Sequence, residues 1–215
     1  MNQPHDILIF GGSGKTGRHL IDHALQAGLS VACMLRPERD ASALLELGVT
    51  VIRGDAFALA DCEQALQLAA PRAVVSLLGG KNAAGRRIDA IGNLNVINAA
   101  QSWQSDLPFV LLTSVGCDEQ FEQLPPNVQQ ALREALIAKT EAERQLRASP
   151  LNWRIVRPGG LNDEAGTGRY ALIQTLTAER KMYLSRSDAA LATLAILRDA
   201  SKAQQVWTVL ASEST

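Results

Sequence analysis

A stretch of seven residues near the amino terminus contains four glycines at a spacing that could bind a phosphate. It runs Gly11-Gly12-Ser13-Gly14-Lys15-Thr16-Gly17, directly after the apolar run Ile7–Phe10 and before apolar residues at helical spacing. Free N–H groups and the helix dipole attract anions to a helix amino terminus, and glycines let a pyrophosphate approach the backbone. In this context the stretch predicts a dinucleotide-binding turn, and a glycine turn without a ligand is the alternative. The predicted contacts on the turn are Gly11, Ser13, Gly14, Lys15, Thr16 and Gly17.

The same stretch contains Gly14-Lys15-Thr16, which also matches the end of a Walker A loop. That loop needs a glycine five positions before Gly14, but Ile9 stands there, inside the predicted first strand. No clear Walker B aspartate accompanies it. A P-loop nucleotidase is therefore disfavoured.

The second predicted strand ends at Leu35-Arg36-Pro37-Glu38-Arg39, about 20 residues past the glycine turn. An NAD-binding protein would place an acidic residue there, to accept a hydrogen bond from the ribose 2′-hydroxyl. Arg36 instead offers a planar guanidinium that can pair with a 2′-phosphate and stack on adenine, and Arg39 could assist. The sequence thus predicts NADP(H) as the cofactor, with an ordinary exposed arginine as the alternative.

The elements that must position these residues alternate between strand and helix. Short apolar runs ending at glycines are typical of strands buried on both faces, and the alternation implies a parallel sheet with right-handed crossovers. We expect an α/β fold, a Rossmann-type doubly wound sheet in three α/β/α layers, with ligands outside the carboxyl ends of the strands. Asp61 is expected to cap the third helix and Ser187 or Asp188 the last. Strands are expected at 7–10, 30–35, 49–52, 73–78, 109–112, 153–156 and 206–210, and helices at 17–28, 41–47, 61–70, 88–100, 126–148 and 188–197.

Residues 1–215 are expected to form a single NAD(P)-binding domain, because the alternation runs almost to the end of the chain. The segment 161–186 breaks this rhythm and contains two glycines. We interpret it as a small irregular insertion over the cofactor site, a lid that would also carry the substrate specificity.

Composition and charge restrict the class of protein. The chain has 21 basic and 22 acidic residues, a formal net charge of -1 and 47% apolar residues. This composition is typical of a globular protein with no nucleic-acid or membrane partner. Nothing approaches the ~18–20 apolar residues of a membrane span, and no signal peptide is evident, so a cytoplasmic location is expected. His19 and His23 lack a third ligand, so no metal site is expected. Three cysteines suggest free thiols, of which Cys117 could sense redox state.

Further short motifs follow in order: Leu35-Arg36, Gly54-Asp55, Leu77-Leu78-Gly79, Thr113-Ser114, Lys139 and Arg157-Pro158-Gly159. With the glycine stretch they resemble an atypical short-chain dehydrogenase/reductase of the NAD(P)-binding, NmrA-like group, over most of the chain. They are particularly similar to the small flavin reductase/biliverdin-IXβ reductase type. The resemblance implies that Asp55 and Ala56 lie against adenine, and that Leu78 and Gly79 line the ribose side. It also implies that Ser114 and Lys139 face the nicotinamide half, and that Pro158 and Gly159 pass beside the nicotinamide ring.

One departure from this family concerns the proton donor. Its best-known members carry Tyr-x-x-x-Lys, in which the tyrosine is the acid, but the residue four before Lys139 is Ala135. Tyr170 and Tyr183 lie in or after the irregular segment, so neither fills the motif. Epimerisation and alcohol oxidation by that route are therefore in doubt.

Hydride transfer to a flavin, quinone or tetrapyrrole needs no dedicated acid, because such an acceptor can draw its proton from solvent. We therefore expect an NADPH-dependent reductase of a planar small-molecule acceptor, with Ser114 and Lys139 as catalytic residues. A non-catalytic NADP(H) sensor that reports to a protein partner is the alternative, and a sugar-nucleotide epimerase is a third. At the residue level, Ser114 could simply cap a strand end and Lys139 could pair with Glu143 one helical turn on.

Overall fold

The short apolar runs form the central strands of one sheet, as expected. The structure, a computed structural model, describes residues 3–82, 84–176 and 182–212. The first two strands are buried along their whole length, since helices cover both faces of the sheet there. In chain order the strands are β1 (Ile7–Phe10), β2 (Val31–Leu35), β3 (Thr50–Arg53), β4 (Val74–Ser76), β5 (Pro108–Leu112), β6 (Asn152–Pro158), β7 (Gly160–Asn162), β8 (Tyr170–Ile173), β9 (Tyr183–Ser185) and β10 (Gln205–Ala211).

Helices connect these strands and form the two outer layers. One apolar cluster packs under α1 and α6, and a second packs under α3, α4 and α5, on the opposite face of the sheet. Short 3₁₀ turns follow β5 and α6, at Asp118–Gln123 and Ala200–Lys202. The helices are α1 (Lys15–Gln26), α2 (Ser42–Glu46), α3 (Leu59–Ala69), α4 (Ile91–Trp103), α5 (Pro126–Ala148) and α6 (Arg186–Arg198).

The strand order confirms the predicted fold class. The main sheet has eight strands in the order β3-β2-β1-β4-β5-β6-β10-β8, and all neighbours are parallel except β10 and β8. The order reverses between β1 and β4, which is the switch point where doubly wound sheets open a crevice for ligands. The carboxyl ends of β1, β4 and β5 therefore meet at one edge, where the glycine turn also lies.

The segment 161–186 is more regular than expected. It contains β8, which pairs antiparallel with β10 at the edge of the sheet, with Leu172 opposite Val209. It also contributes to a separate two-stranded parallel sheet of β7 and β9. The strands are only three or four residues long and largely half-buried, so they leave little periodicity in the sequence. Residues 177–181 of the segment lie outside the described ranges.

Both predicted helix caps are wrong. Asp61 lies within α3, and its carboxylate instead accepts a hydrogen bond from the Asp55 N–H at 2.8 Å, which fixes the loop after β3. The last helix is capped by Ser185, whose Oγ accepts from the Asp188 N–H at 3.0 Å. Ser187 and Asp188 belong to the first turn of α6, because the helix starts two residues earlier than expected.

No helix in the described ranges combines the length and the apolar character that crossing a bilayer would require.

Candidate functional site

The glycine stretch forms the tight turn between β1 and α1, and two of its glycines are demanded by close contacts. Gly11 has a φ of 89°, and a Cβ there would lie 3.0 Å from the carbonyl of Leu77. A Cβ on Gly17 would lie 2.3 Å from the carbonyl oxygen of Gly11. The first turn of α1 therefore packs directly on the loop, and a side chain at either position would force the helix away.

The start of α1 offers free hydrogen-bond donors. The helix begins after Gly14, which provides no side-chain cap, and its first turn contains no acidic residue. In the described part of the chain, the backbone N–H groups of Lys15, Thr16 and Gly17 have no acceptor. Such donors at the positive end of a helix dipole attract phosphate. The turn therefore fits the diphosphate of a dinucleotide.

On one side of the turn lies a cavity of about 270 Å³, which we call the Arg36 cavity. The Arg36 side chain is 45% exposed, and its guanidinium lies 3.2 Å from the Glu38 carboxylate. Arg53 holds the loop that carries it, donating to the carbonyl oxygens of Arg39 at 2.6 Å and Arg36 at 3.1 Å. The cavity thus presents a half-exposed cation on a braced loop. Its lining includes the predicted contacts Gly11, Ser13, Gly14, Arg36, Asp55, Ala56, Leu78 and Gly79.

On the other side lies a cavity of about 460 Å³, which we call the Lys139 cavity. It shares Gly11, Gly14 and Gly79 with the Arg36 cavity, so the two meet on the glycine turn. The two cavities together can accommodate an elongated ligand whose negatively charged middle part lies on the glycine turn. The predicted contacts that line the second cavity are Gly11, Gly14, Lys15, Thr16, Gly17, Gly79, Ser114 and Lys139.

Ser114 and Lys139 reach the Lys139 cavity from different elements. Ser114 follows β5 and is half-buried, and its hydroxyl has no hydrogen-bond partner within the described ranges. Lys139 projects from α5, and its Nζ lies 2.9 Å from the Asp89 carboxylate in the loop after β4. The alternative pairing of Lys139 with Glu143 is wrong, because Glu143 is bound to other groups.

Glu143 and Arg157 form a fully buried ion pair behind Ser114. The Arg157 guanidinium donates to the two Glu143 carboxylate oxygens at 3.0 and 2.6 Å, and the Thr113 hydroxyl donates to Glu143 at 2.6 Å. Arg157 also donates to the partly exposed Glu119. Because Thr113 precedes Ser114, this network braces the backbone that carries the free hydroxyl.

Pro158 and Gly159 are buried and line neither the Arg36 cavity nor the Lys139 cavity. A Cβ on Gly159 would lie 1.9 Å from the carbonyl oxygen of Met182, so this glycine allows two chain segments to touch. The Val115 N–H donates to the Pro158 carbonyl at 2.9 Å. Their predicted contact with the cofactor stays a prediction.

An ion-pair bridge joins the segment 161–186 to the site. Asp163 pairs with Lys15 at the start of α1, and with the Arg186 guanidinium at 2.7 Å. Hydrogen bonds from Lys15 and Arg186 hold the pKa of the Asp163 carboxyl below its usual range. Lys15 and Arg186 both line the Lys139 cavity, so the segment is tethered at its mouth.

The two tyrosines lie away from this site. Tyr170 is half-buried in β8, Tyr183 is 68% exposed, and neither lines the two cavities. Ala135, in the position of the family's tyrosine, lines the Lys139 cavity. A small apolar residue therefore occupies the place where an acid would stand.

The other reactive side chains of the sequence have structural surroundings. Cys117 is fully buried, and burial raises the pKa of its thiol to about 12, so it is no exposed redox sensor. His23 contacts the Ser187 hydroxyl at 3.1 Å, between α1 and α6. No group of three or more potential ligands that could hold a metal occurs among the described residues.

No local pattern in the sequence marks Asp89, which lines the Lys139 cavity and pairs with Lys139. It lies in the loop after β4, which has no periodicity, and it meets Lys139 only because α5 and that loop come together in the folded chain. Glu143 was considered only as a partner of Lys139, and nothing in the sequence indicates its pairing with Arg157.

Comparison with known proteins places the whole chain among similar folds. A family model described as NAD(P)H-binding matches residues 11–200. The solved structure of ChuY, an anaerobillin reductase from Escherichia coli O157:H7, is 28% identical with a TM-score of 0.85. It covers 97% of this chain and 98% of that chain. The similarity thus includes the carboxyl-terminal strands as well as the glycine turn.

Two relatives matched by sequence carry different descriptions. YhfK of Bacillus subtilis (strain 168), named as an uncharacterized sugar epimerase, is 25% identical over 204 residues. That match covers 89% of this chain and 87% of YhfK. The photosystem II assembly factor Ycf39 of Synechocystis is 31% identical over 102 residues, which is 44% of this chain and 29% of Ycf39. The chain thus spans less than a third of Ycf39.

Proposed function

This chain belongs to the NAD(P)H-binding family, as its motifs predicted, and we propose that it is an NADPH-dependent reductase of a planar acceptor. One observation carries the proposal: two cavities meet on a glycine turn whose helix N–H groups are free. A dinucleotide has the matching shape, with a diphosphate between two nucleoside halves. When bound, its reduced nicotinamide supplies a hydride, while the chain binds and orients the reactants.

The Arg36 cavity would hold the adenosine half. Asp55, Ala56, Leu78 and Gly79 line it, and Arg36 at its rim would pair with the 2′-phosphate that distinguishes NADP(H) from NAD(H). The backbone N–H groups at the start of α1 would bind the diphosphate. This division of contacts supports a preference for NADPH.

The Lys139 cavity would hold the nicotinamide half. Lys139 would donate hydrogen bonds to the ribose hydroxyls, because its ammonium is held at the edge of the cavity. The free Ser114 hydroxyl would donate to the nicotinamide amide or to the acceptor. Pro158 and Gly159 would lie behind the nicotinamide ring. The hydrogen bond from the Val115 N–H to the Pro158 carbonyl would hold them there.

The absent tyrosine favours an acceptor that needs no dedicated acid. Ala135 leaves space in the Lys139 cavity and supplies no proton. A flavin, quinone or tetrapyrrole can take its proton from solvent. ChuY, named as an anaerobillin reductase, supports an acceptor of this kind. The segment 161–186, tethered through Asp163, would form the lid over the acceptor.

The test is NADPH oxidation by the purified chain with a panel of acceptors: FMN, riboflavin, biliverdin and a quinone. We expect at least one acceptor to support turnover. Ser114→Ala should slow that turnover by about tenfold or more while NADPH still binds, because it removes a donor at the reacting end. Arg72→Gln, an exposed residue that pairs with Asp6, is the control and should have no effect. Inertness of the wild-type chain across the panel would refute the reductase.

A non-catalytic NADP(H) sensor is the second candidate. It is favoured by the similarity to Ycf39, which is named an assembly factor and is 31% identical over 102 residues. Its signature would be tight NADPH binding without turnover of any acceptor in the panel. An epimerase, suggested by the name of YhfK, is less well supported, since Ala135 replaces the tyrosine that such chemistry would use.

A further inference from the structure

Asp89 is a buried carboxylate at the edge of the Lys139 cavity. Its side chain is only 1% exposed. One carboxylate oxygen accepts from the Gly80 N–H at 2.9 Å and from the Arg87 guanidinium at 3.1 Å. The other lies 2.9 Å from Lys139 Nζ. A single side chain therefore joins the loop after β4 to the outer helix α5.

The position of the Lys139 ammonium depends on this contact. A lysine side chain has four flexible carbons, so the position of its ammonium depends on the group that binds it. Here Nζ lies against the loop after β4, only 3.0 Å from where a Cβ on Gly79 would be. Gly79 lines both cavities, so the ammonium sits beside the point at which they meet.

Other carboxylates do not compete for Lys139. Glu143, one turn further along α5, is occupied by Arg157 and by Arg147 at 3.1 Å. Within the described ranges, Asp89 is the carboxylate that forms an ion pair with Lys139. The Lys139 side chain is 16% exposed, which limits the screening of this pair by water.

We propose that Asp89 is a positioning residue that holds the Lys139 ammonium for the nicotinamide ribose. The inference rests on the proposed function, because it assumes that the Lys139 cavity takes the nicotinamide half. Without the carboxylate, Lys139 is free to swing into solvent, and the cofactor must order it again on binding. Asp89 should then matter for the nicotinamide half of the cofactor and not for the adenosine half.

The experiment compares the affinities of NADPH and adenosine 2′,5′-bisphosphate by calorimetry. The bisphosphate occupies the adenosine half alone, so it reports on the Arg36 cavity. We expect Asp89→Asn to weaken NADPH binding by about tenfold and to leave bisphosphate binding unchanged. Lys139→Met should have a similar effect on NADPH. The double variant should be no weaker than Lys139→Met alone, because Asp89 acts through that lysine.

Asp118→Asn is the matched control. Asp118 also binds α5, through Arg144 at 2.7 Å and Arg147 at 2.8 Å, but it lines neither cavity. Its loss should alter the melting temperature without altering NADPH affinity. Additive effects of Asp89→Asn and Lys139→Met, or equal weakening of both ligands, would overturn the positioning role. If the wild-type chain binds the bisphosphate and NADPH equally well, the assignment of the nicotinamide half fails. If it binds no NADPH, the proposed function fails too.

Discussion

The selectivity for NADPH can be tested at Arg36. We predict that Arg36→Gln weakens NADPH binding while NADH binding is nearly unchanged. The reason is that the guanidinium sits at the rim of the Arg36 cavity and would be the partner of the 2′-phosphate, which NADH lacks. Glutamine keeps much of the length of the side chain but loses its charge.

The expected size follows from the exposure of the side chain. A hydrogen bond between charged groups contributes ~1.5–3 kcal/mol when shielded, and an exposed pair contributes ~0.2–1 kcal/mol. Arg36 is 45% exposed, so its contribution should fall between the shielded and the exposed values. In the chain without cofactor it already pairs with Glu38 at 3.2 Å. A value of ~1.5 kcal/mol corresponds to about a tenfold loss of NADPH affinity.

The assay is calorimetric titration of both cofactors into the wild-type chain, Arg36→Gln and Arg72→Gln. Arg72 is 72% exposed and lies just before β4, at the amino ends of the strands and away from both cavities, so its substitution should change neither affinity. Glu38→Ala should tighten NADPH binding slightly, because it removes the carboxylate that competes for Arg36. If Arg36→Gln weakens NADPH and NADH equally, or weakens neither, the reasoning about the 2′-phosphate is refuted.

Three further predictions concern the glycine turn, the buried ion pair and the thiols. Gly17→Ala should lower the free energy of unfolding by ~1–3 kcal/mol, since its Cβ would lie 2.3 Å from the Gly11 carbonyl oxygen. A Cβ on Gly14 would lie 3.2 Å from the same oxygen, so Gly14→Ala should fold almost normally but bind NADPH poorly. Equal stability of the Gly17 and Gly14 variants in urea would contradict this. Glu143→Gln should lower the free energy of unfolding by ~3–5 kcal/mol, because the buried Arg157 guanidinium would lose its buried carboxylate and keep only its contact with Glu119. Glu119→Gln, at a carboxylate that is 60% exposed, should cost under ~1 kcal/mol. The thiols of Cys33, Cys62 and Cys117 should not react with Ellman's reagent at about pH 8 until the chain is unfolded, because burial raises their pKa values to about 11, 12 and 12; rapid native reaction would contradict it.

Much of the fold could be predicted because its signals are local. A strand buried on both faces must be apolar along its whole length, and the run Ile7–Phe10 is. A turn that packs a helix on a strand needs residues without side chains, and Gly11 and Gly17 are such residues. The family resemblance assigned Ser114 to the site, and the rule that carboxyl ends of parallel strands share one edge agreed with it.

Other features left no local signal. The strand β8 was interpreted as irregular, since a short half-buried edge strand needs neither strict alternation nor a fully apolar sequence. The predicted caps at Asp61 and at Ser187 or Asp188 were wrong because each helix starts one or two residues before the polar residue that was expected to cap it. The α3 helix starts without a side-chain cap, and Ser185 caps the last helix.

The amino-acid sequence by itself determined the alternation of strands and helices, the anion-binding turn at the start of α1 and the cation at Arg36, because hydrophobic periodicity, missing side chains and charge act over a few neighbouring residues. Only the tertiary structure decided that Lys139 pairs with Asp89 and not with Glu143, and that Cys117 is sealed in the interior. Ion pairs and burial depend on which surfaces meet when distant segments pack, as α5 and the loop after β4 do at Lys139 and Asp89.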